Sequence, residues 1–285
     1  MVKNRILIVV GMQGSGASLI AKWLTRCGLH TGDNFNNENN NSGFEDPDFS
    51  DSHKAILNGR RLPADGLTAK PVKPLSYDER DRLKDIISWK SSFNQQWGWN
   101  DPRTSLLLDV YNELIPQAYY FVVLKDYTSV ITSMVWDKYK EIESKYASQK
   151  GLRGLIWKYF TQKRKMQQLL KKYCQQYLQV WIAYNQSVLQ HLKRLPAQRV
   201  IVSDHTSLAG NSRMAFNHIV RAWDFTLKFF TFKNLSKPEQ ADLPSSIDEY
   251  IKDKTLLRIA GYISQSLQQR VTLYKKQMPF ALVHQ

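Results

Sequence analysis

The feature that most constrains this chain lies near its start. Ile6-Leu7-Ile8-Val9-Val10 runs straight into Gly11-Met12-Gln13-Gly14-Ser15-Gly16-Ala17-Ser18. A short, continuous, β-branched run reads as a strand buried on both faces, the situation of a parallel sheet. From Ser18 to Cys27 the spacing turns helical, with Leu19, Ile20, Trp23 and Leu24 on one side and Gly28 as the stop. Strand, glycine loop and helix in that order form an anion cradle. Glycines let the backbone turn its N–H groups onto one anion, and the helix N-terminus adds orphan donors and the positive end of its dipole. The candidate phosphate-binding residues are Gly11, Gly14, Ser15, Gly16, Ala17 and Ser18. The spacing from Gly11 to Gly16 fits GxxxxGK[ST], but Ala17 stands where that frame needs the lysine that reaches the β- and γ-phosphates. An ordinary ATPase or kinase is therefore disfavoured, and Mg-dependent ATP binding would revive it. The GxGxxG frame fits worse, since starting it at Gly14 and Gly16 leaves Leu19 at its third glycine. The plainest alternative is a tight strand-to-helix turn that holds no ligand.

Downstream, strands and helices alternate. Helices are expected over Asp46 to Asn58, Ser76 to Lys90, Thr104 to about Leu114 and Thr128 to about Tyr139, with strands at Tyr119 to Leu124 and Arg199 to Val202. Asn34 to Ser42 reads as loop, and Arg60 to Pro74, with three prolines and two lysines, as an exposed excursion. Between Ser144 and Ser203 there is no Asp or Glu but there are twelve Lys and Arg, while apolar residues from Met166 to Leu192 keep three-and-four spacing. The C-terminal part from Asn211 reads as helical, broken around Pro238 and Pro244. The expectation is a single α/β domain over residues 1–285: a P-loop-type parallel sheet flanked by helices, with a basic helical insertion at about 144–196 before the last strand.

Charge narrows the partners without choosing one. Lys and Arg number 40 against 25 Asp and Glu, a formal net charge of +15, which favours anionic partners. The basic helical region is either the solvated face of a core helix or a docking surface for an acidic polysaccharide or an anionic membrane. A specific nucleic-acid binder is not expected, because no RRM, zinc-finger or clear helix-turn-helix pattern accompanies the charge. Cys27 and Cys174 form no disulfide framework, and neither a signal-peptide core nor a membrane-length apolar run is present, so a cytoplasmic location is expected. The six histidines form no i,i+4 pair or Cys/His cluster, so no metal site is expected.

Five segments in order resemble the sulfotransferase family, in particular its bacterial and glycan-type branches. The loop Gly11 to Ser18 resembles G-x-x-R-S-G-T-S, Gly43-Phe44-Glu45 a G-F/H-x-E segment, and Trp97-Gly98-Trp99-Asn100-Asp101-Pro102-Arg103 a W-G-W-K-D-P-R segment. Tyr119 to Ser133 resembles the unit that binds the donor's 3'-phosphate, and Trp181-x-x-Tyr184-Asn185 with Leu195-Pro196 completes the set across roughly the first 205 residues. The resemblance implies 3'-phosphoadenosine-5'-phosphosulfate as sulfuryl donor, without metal, and a hydroxyl or amine acceptor on a glycan or small metabolite. It further implies Lys125 and Ser133 on the 3'-phosphate, where the family has Arg and Ser, and Glu45 as proton acceptor, with His53 and Asp101 as fallbacks.

Three departures bear on catalysis. Gly14 replaces the loop's basic residue, Ala17 its threonine, and Asn100 the lysine of W-G-W-K-D-P-R. Loss of one electrostatic donor to a charged transition state costs about 10²–10³ in rate. Three outcomes stay open: another cation substitutes, the donor differs, or the chain is a nucleotide-binding relative that no longer catalyses. Arg103 is the candidate substitute, and an ion pair with Asp101 is its structural alternative.

Overall fold

A computed structural model describes residues 4–32, 45–147, 162–235 and 246–277. Four parallel strands form one sheet: β1 (Arg5–Val10), β2 (Gln96–Asn100), β3 (Tyr119–Leu124) and β4 (Val200–Asp204), in the order β2-β1-β3-β4. Ile6 to Val10 are all buried, as their unbroken apolar run requires. The connection from β1 leads to β2 on one side, and that from β3 leads to β4 on the other. The carboxyl ends of β1 and β3 are therefore neighbours whose chains depart in opposite directions, which opens the crevice where α/β sheets bind ligands.

Among the described residues, eight helices flank the sheet. α1 (Ala17–Arg26) follows the glycine loop. α2 (Pro47–Gly59) begins with Asp46 as N-cap, its side chain accepting from the Asp48 N–H, and with Pro at its first position. α3 (Tyr77–Phe93) starts in a capping box between Ser76 and Glu79. α4 (Leu108–Leu114) is shorter than its spacing suggests. Pro102–Leu106 is instead a 3-10 turn, because Asp101 caps the Arg103 N–H, and Leu107 at φ −123° breaks the helical path. α5 (Tyr127–Ala147) and α6 (Gln162–Arg194) lie on either side of residues 148–161, which fall outside the described set along with part of the expected basic region.

Along α6, Leu169, Leu170, Cys174, Tyr177, Trp181, Tyr184, Val188 and Leu192 are buried, while Lys171, Lys172, Lys193 and Arg194 are exposed. The basic region there is the solvated face of a core helix. α7 (His205–Arg221) begins six residues before the expected Asn211, which instead marks a kink at φ −128°. α8 (Lys254–Gln277) closes the described chain, and the expected breaks at Pro238 and Pro244 lie outside the described residues.

The Trp97-Gly98-Trp99 segment shows why its glycine is needed. A Cβ on Gly98 would stand 1.9 Å from the Leu7 carbonyl oxygen of β1. The flanking tryptophans are fully buried, and Trp99 stacks on Phe49 of α2 with ring centroids 4.1 Å apart. That stack fixes α2, and with it Glu45 and Asp46, against the end of β2. Among the described residues, no helix is long and apolar enough to cross a membrane. Cys27 and Cys174 are both free and buried.

Candidate functional site

The glycine loop turns through left-handed backbone at Gly14 (φ +82°) and Gly16 (φ +92°). There any other L-residue is strained by contact between its Cβ and the following carbonyl. Gly16 is the N-cap of α1 and offers no side-chain acceptor, so the helix presents its first N–H groups outward. Gly11 is required for a different reason: a Cβ there would meet Ser15 Oγ at 2.6 Å and Ala17 Cβ at 2.9 Å. The Ser15 N–H donates to the Met12 carbonyl at 3.0 Å and closes the turn. It is thus already engaged, and the cradle narrows to Gly14, Gly16, Ala17 and Ser18. The Ser15 hydroxyl is buried beneath the loop without a hydrogen-bond partner.

Above the loop lies a cleft of about 340 Å³, lined by Gly14, Gly16, Ala17 and Ser18 of the loop, by Glu45, Asp65 and Arg103 from other segments, and by Asp137 from α5. Its volume suits a small molecule. Six of these eight residues carry a signal in the sequence, and Asp65 and Asp137 carry none. Asp65 belongs to the 60–74 excursion, which is anchored to the cleft: Tyr184 of α6 donates its hydroxyl to the Gly66 carbonyl at 2.8 Å, and Arg103 Nη1 donates to the Ala64 carbonyl at 3.1 Å.

Arg103 is the hub of the far wall. Its Nε donates to Asp101 Oδ1 at 2.8 Å, and its Nη2 to Glu45 Oε2 at 2.6 Å, Asp101 Oδ2 at 2.9 Å and Ser50 Oγ at 3.0 Å. The expected Asp101 ion pair is therefore present, and it is shared with Glu45. Behind it, the His53 Nδ1 lies 3.2 Å from Asp101 Oδ2, and His53 Nε2 lies 2.6 Å from the Tyr111 hydroxyl, all of them buried. His53 thus bridges the Asp101 carboxylate and the Tyr111 hydroxyl, and the direction of the Tyr111 hydrogen bond follows the tautomer of the ring. His53 has no exposure at all and lies behind the wall, so it cannot meet an acceptor as the fallback base. Asp101 is equally enclosed.

The two carboxyls are driven apart. Burial alone would raise Asp101, but the charge and hydrogen bond of His53, and then those of Arg103, outweigh it and bring its pKa down to about 2. Glu45 goes the other way: burial first, then the negative charge of Asp101, hold its carboxyl above the ordinary range despite Arg103. Glu45 is the partly exposed member of this network, with 27% of its side chain accessible. A carboxylate with a raised pKa, open to a cleft, can take a proton there.

Lys125 sits at the carboxyl end of β3 and Ser133 on α5, both half-buried, and neither lines this cleft. The carbonyl of Lys125 accepts from Trp181 Nε1 at 3.2 Å, which ties the strand end to α6. Gly14 rests against the same helix, within 3.2 Å of the Val130 carbonyl if a Cβ is added, so loop and α5 are in register. Asn100, fully buried, donates to Ser18 Oγ at 3.4 Å and supports the start of α1. Gly43 and Phe44 lie outside the described residues. Among the described residues no group of three or more His, Cys, Asp or Glu is placed to hold a metal ion.

Fold and site together define a parallel α/β protein with a glycine-loop cleft at its topological switch point. Among solved structures, the sulfotransferase domain from the curacin biosynthetic pathway is similar at 15% identity and a TM-score of 0.48, over 93% of this chain and 99% of that one. The sulfotransferase domain from the Synechococcus PCC 7002 olefin synthase is similar at 14% identity and a TM-score of 0.44, over 92% and 96%. No protein-family profile and no curated protein sequence matches this chain.

Proposed function

We propose that this chain transfers a sulfuryl group from 3'-phosphoadenosine-5'-phosphosulfate to a hydroxyl or amine on a small acceptor. The observation that carries this reading is a glycine loop at the β1/β3 switch point facing, across a small cleft, a carboxyl with a raised pKa. The loop fits a phosphate: Gly14 and Gly16 adopt backbone that favours glycine, and Gly11 leaves no room for a side chain. The N–H groups of Gly14, Gly16, Ala17 and Ser18 would hold the 5'-phosphosulfate, and Lys125 and Ser133 the 3'-phosphate. The acceptor's oxygen or nitrogen attacks sulfur, the bond from sulfur to the bridging oxygen breaks, and 3',5'-adenosine bisphosphate leaves. Glu45 takes the acceptor's proton. Arg103 holds Glu45 in place and keeps part of its positive charge facing the cleft. No metal enters this scheme, and a cytoplasmic setting suits two free thiols.

One observation favours a second reading, a nucleotide-binding relative without turnover. Arg103 gives four of its hydrogen bonds to Asp101, Glu45 and Ser50, so its charge is already largely compensated. Donor turnover separates the two. Incubation with sulfur-labelled donor and a mixed panel of hydroxyl and amine acceptors should release bisphosphate above the buffer rate, and Gly16→Ala should abolish the release. Bisphosphate binding without release would leave the second reading standing.

A further inference from the structure

The molecule carries a net charge of +15, yet its cleft has the opposite sign. Among the described residues, three carboxylates, Glu45, Asp65 and Asp137, line it against the one guanidinium of Arg103. That guanidinium is paired with Glu45 and with Asp101 behind it. Asp65 and Asp137 have no such relief, since among the described residues neither is in an ion pair. Asp65 is also held rather than loose. Its carboxylate accepts from the Leu67 N–H at 2.9 Å, and the residues on either side, Ala64 and Gly66, are fastened by Arg103 and Tyr184.

We infer that the cleft takes a cationic, amine-bearing small molecule as its acceptor, with Asp65 and Asp137 as the residues that select it. This deepens the transferase reading and rests on it for the word acceptor; the charge of the cleft does not depend on it. Two carboxylates outside any ion pair, both exposed at the cleft, attract a cation and repel an acidic glycan. The excess of Lys and Arg elsewhere works against unspecific adsorption of a polyamine, so such binding would have to be local. The division of labour is chemical: backbone N–H groups of the loop meet the anionic donor, and the Asp65 and Asp137 carboxylates meet the cationic acceptor.

The test is calorimetric titration of the full chain, at about 0.15 M salt, with spermidine and with a glucuronate disaccharide as opposite probes. Spermidine should bind the wild-type protein, at least tenfold more weakly in the Asp65→Asn/Asp137→Asn double variant, and unchanged in Asp85→Asn on the exposed face of α3. The disaccharide should not bind. Spermidine binding that ignores the double variant, or disaccharide binding in place of spermidine, overturns the inference. Titration of the same double variant with 3',5'-adenosine bisphosphate keeps the two readings apart. Bisphosphate binding that survives while spermidine binding is lost supports both, whereas bisphosphate failure in the wild type overturns the transferase reading and leaves the charge preference to be decided by spermidine alone.

Discussion

At the scale of single residues, the far wall of the cleft is one electrostatic unit. Asp101 links His53 and Arg103, and Arg103 links Asp101 to Glu45. Removing one member of a buried ionic network leaves an uncompensated charge, at a cost of about 3–5 kcal/mol. Asp101→Ala should therefore lower urea-unfolding stability by that order, and an unchanged midpoint would show that Arg103 finds full compensation elsewhere. The depressed pKa of Asp101 sets the direction with pH. Its contribution is fully present above its ordinary value of 3.8 and is lost as pH falls toward about 2. Acid unfolding should accordingly steepen below about pH 4, and Asp101→Asn should flatten that limb. Glu45, shifted upward, behaves in the opposite sense. If it receives the acceptor's proton, kcat/KM should rise with pH through a value above the ordinary glutamate pKa of about 4.3, and Glu45→Gln should remove that rise, at a smaller stability cost than Asp101→Ala because Glu45 is partly exposed.

At the scale of elements, the site depends on how three segments are pinned. The segment before α2 is held by Lys90 of α3, whose ammonium meets Asp46 Oδ2 at 2.8 Å and Asp48 Oδ2 at 2.7 Å in a nearly closed setting. Glu45 immediately precedes Asp46, so Lys90→Met should destabilise the fold by about 3–5 kcal/mol and weaken proton transfer together, although Lys90 does not line the cleft. The 60–74 excursion hangs on the hydroxyl of Tyr184. Tyr184→Phe should cost about 0.5–1.5 kcal/mol in urea unfolding and loosen whatever Asp65 holds, while bisphosphate binding stays as it was.

These elements also show what could be read in advance. β1, its loop, α1 and β3 were legible because each is local, a pattern of a few neighbouring residues whose burial and backbone geometry follow from type and spacing. α4 was misjudged because Asp101 and Pro102 impose a 3-10 turn that helical spacing does not reveal. Asp65 and Asp137 were missed for a deeper reason. Their neighbours around the cleft are 20 to 125 positions away in sequence, and no periodicity carries such pairings. The same holds for His53 with Tyr111 and for Lys90 with Asp46. For Tyr184 a signal did exist, in the Trp181-x-x-Tyr184-Asn185 segment, but its partner Gly66 carried none.

At the scale of the whole molecule, fold and site are one argument. A parallel sheet in the order β2-β1-β3-β4 needs a switch point, the switch point lies where β1 ends, and β1 ends in glycines. α6 serves this arrangement by tying down the end of β3 through Trp181 and the 60–74 excursion through Tyr184, while its Lys171, Lys172, Lys193 and Arg194 face solvent. The central claim is that this junction is a site for a 3'-phosphorylated adenine nucleotide. Calorimetric titration with 3',5'-adenosine bisphosphate, run beside ATP with Mg, tests it most directly. The account predicts micromolar binding of the bisphosphate, about tenfold weaker in Lys125→Ala, through loss of one charge-assisted phosphate contact, with ATP bound more weakly or not at all. Absence of bisphosphate binding, or equal binding of ATP that requires Mg, would contradict it.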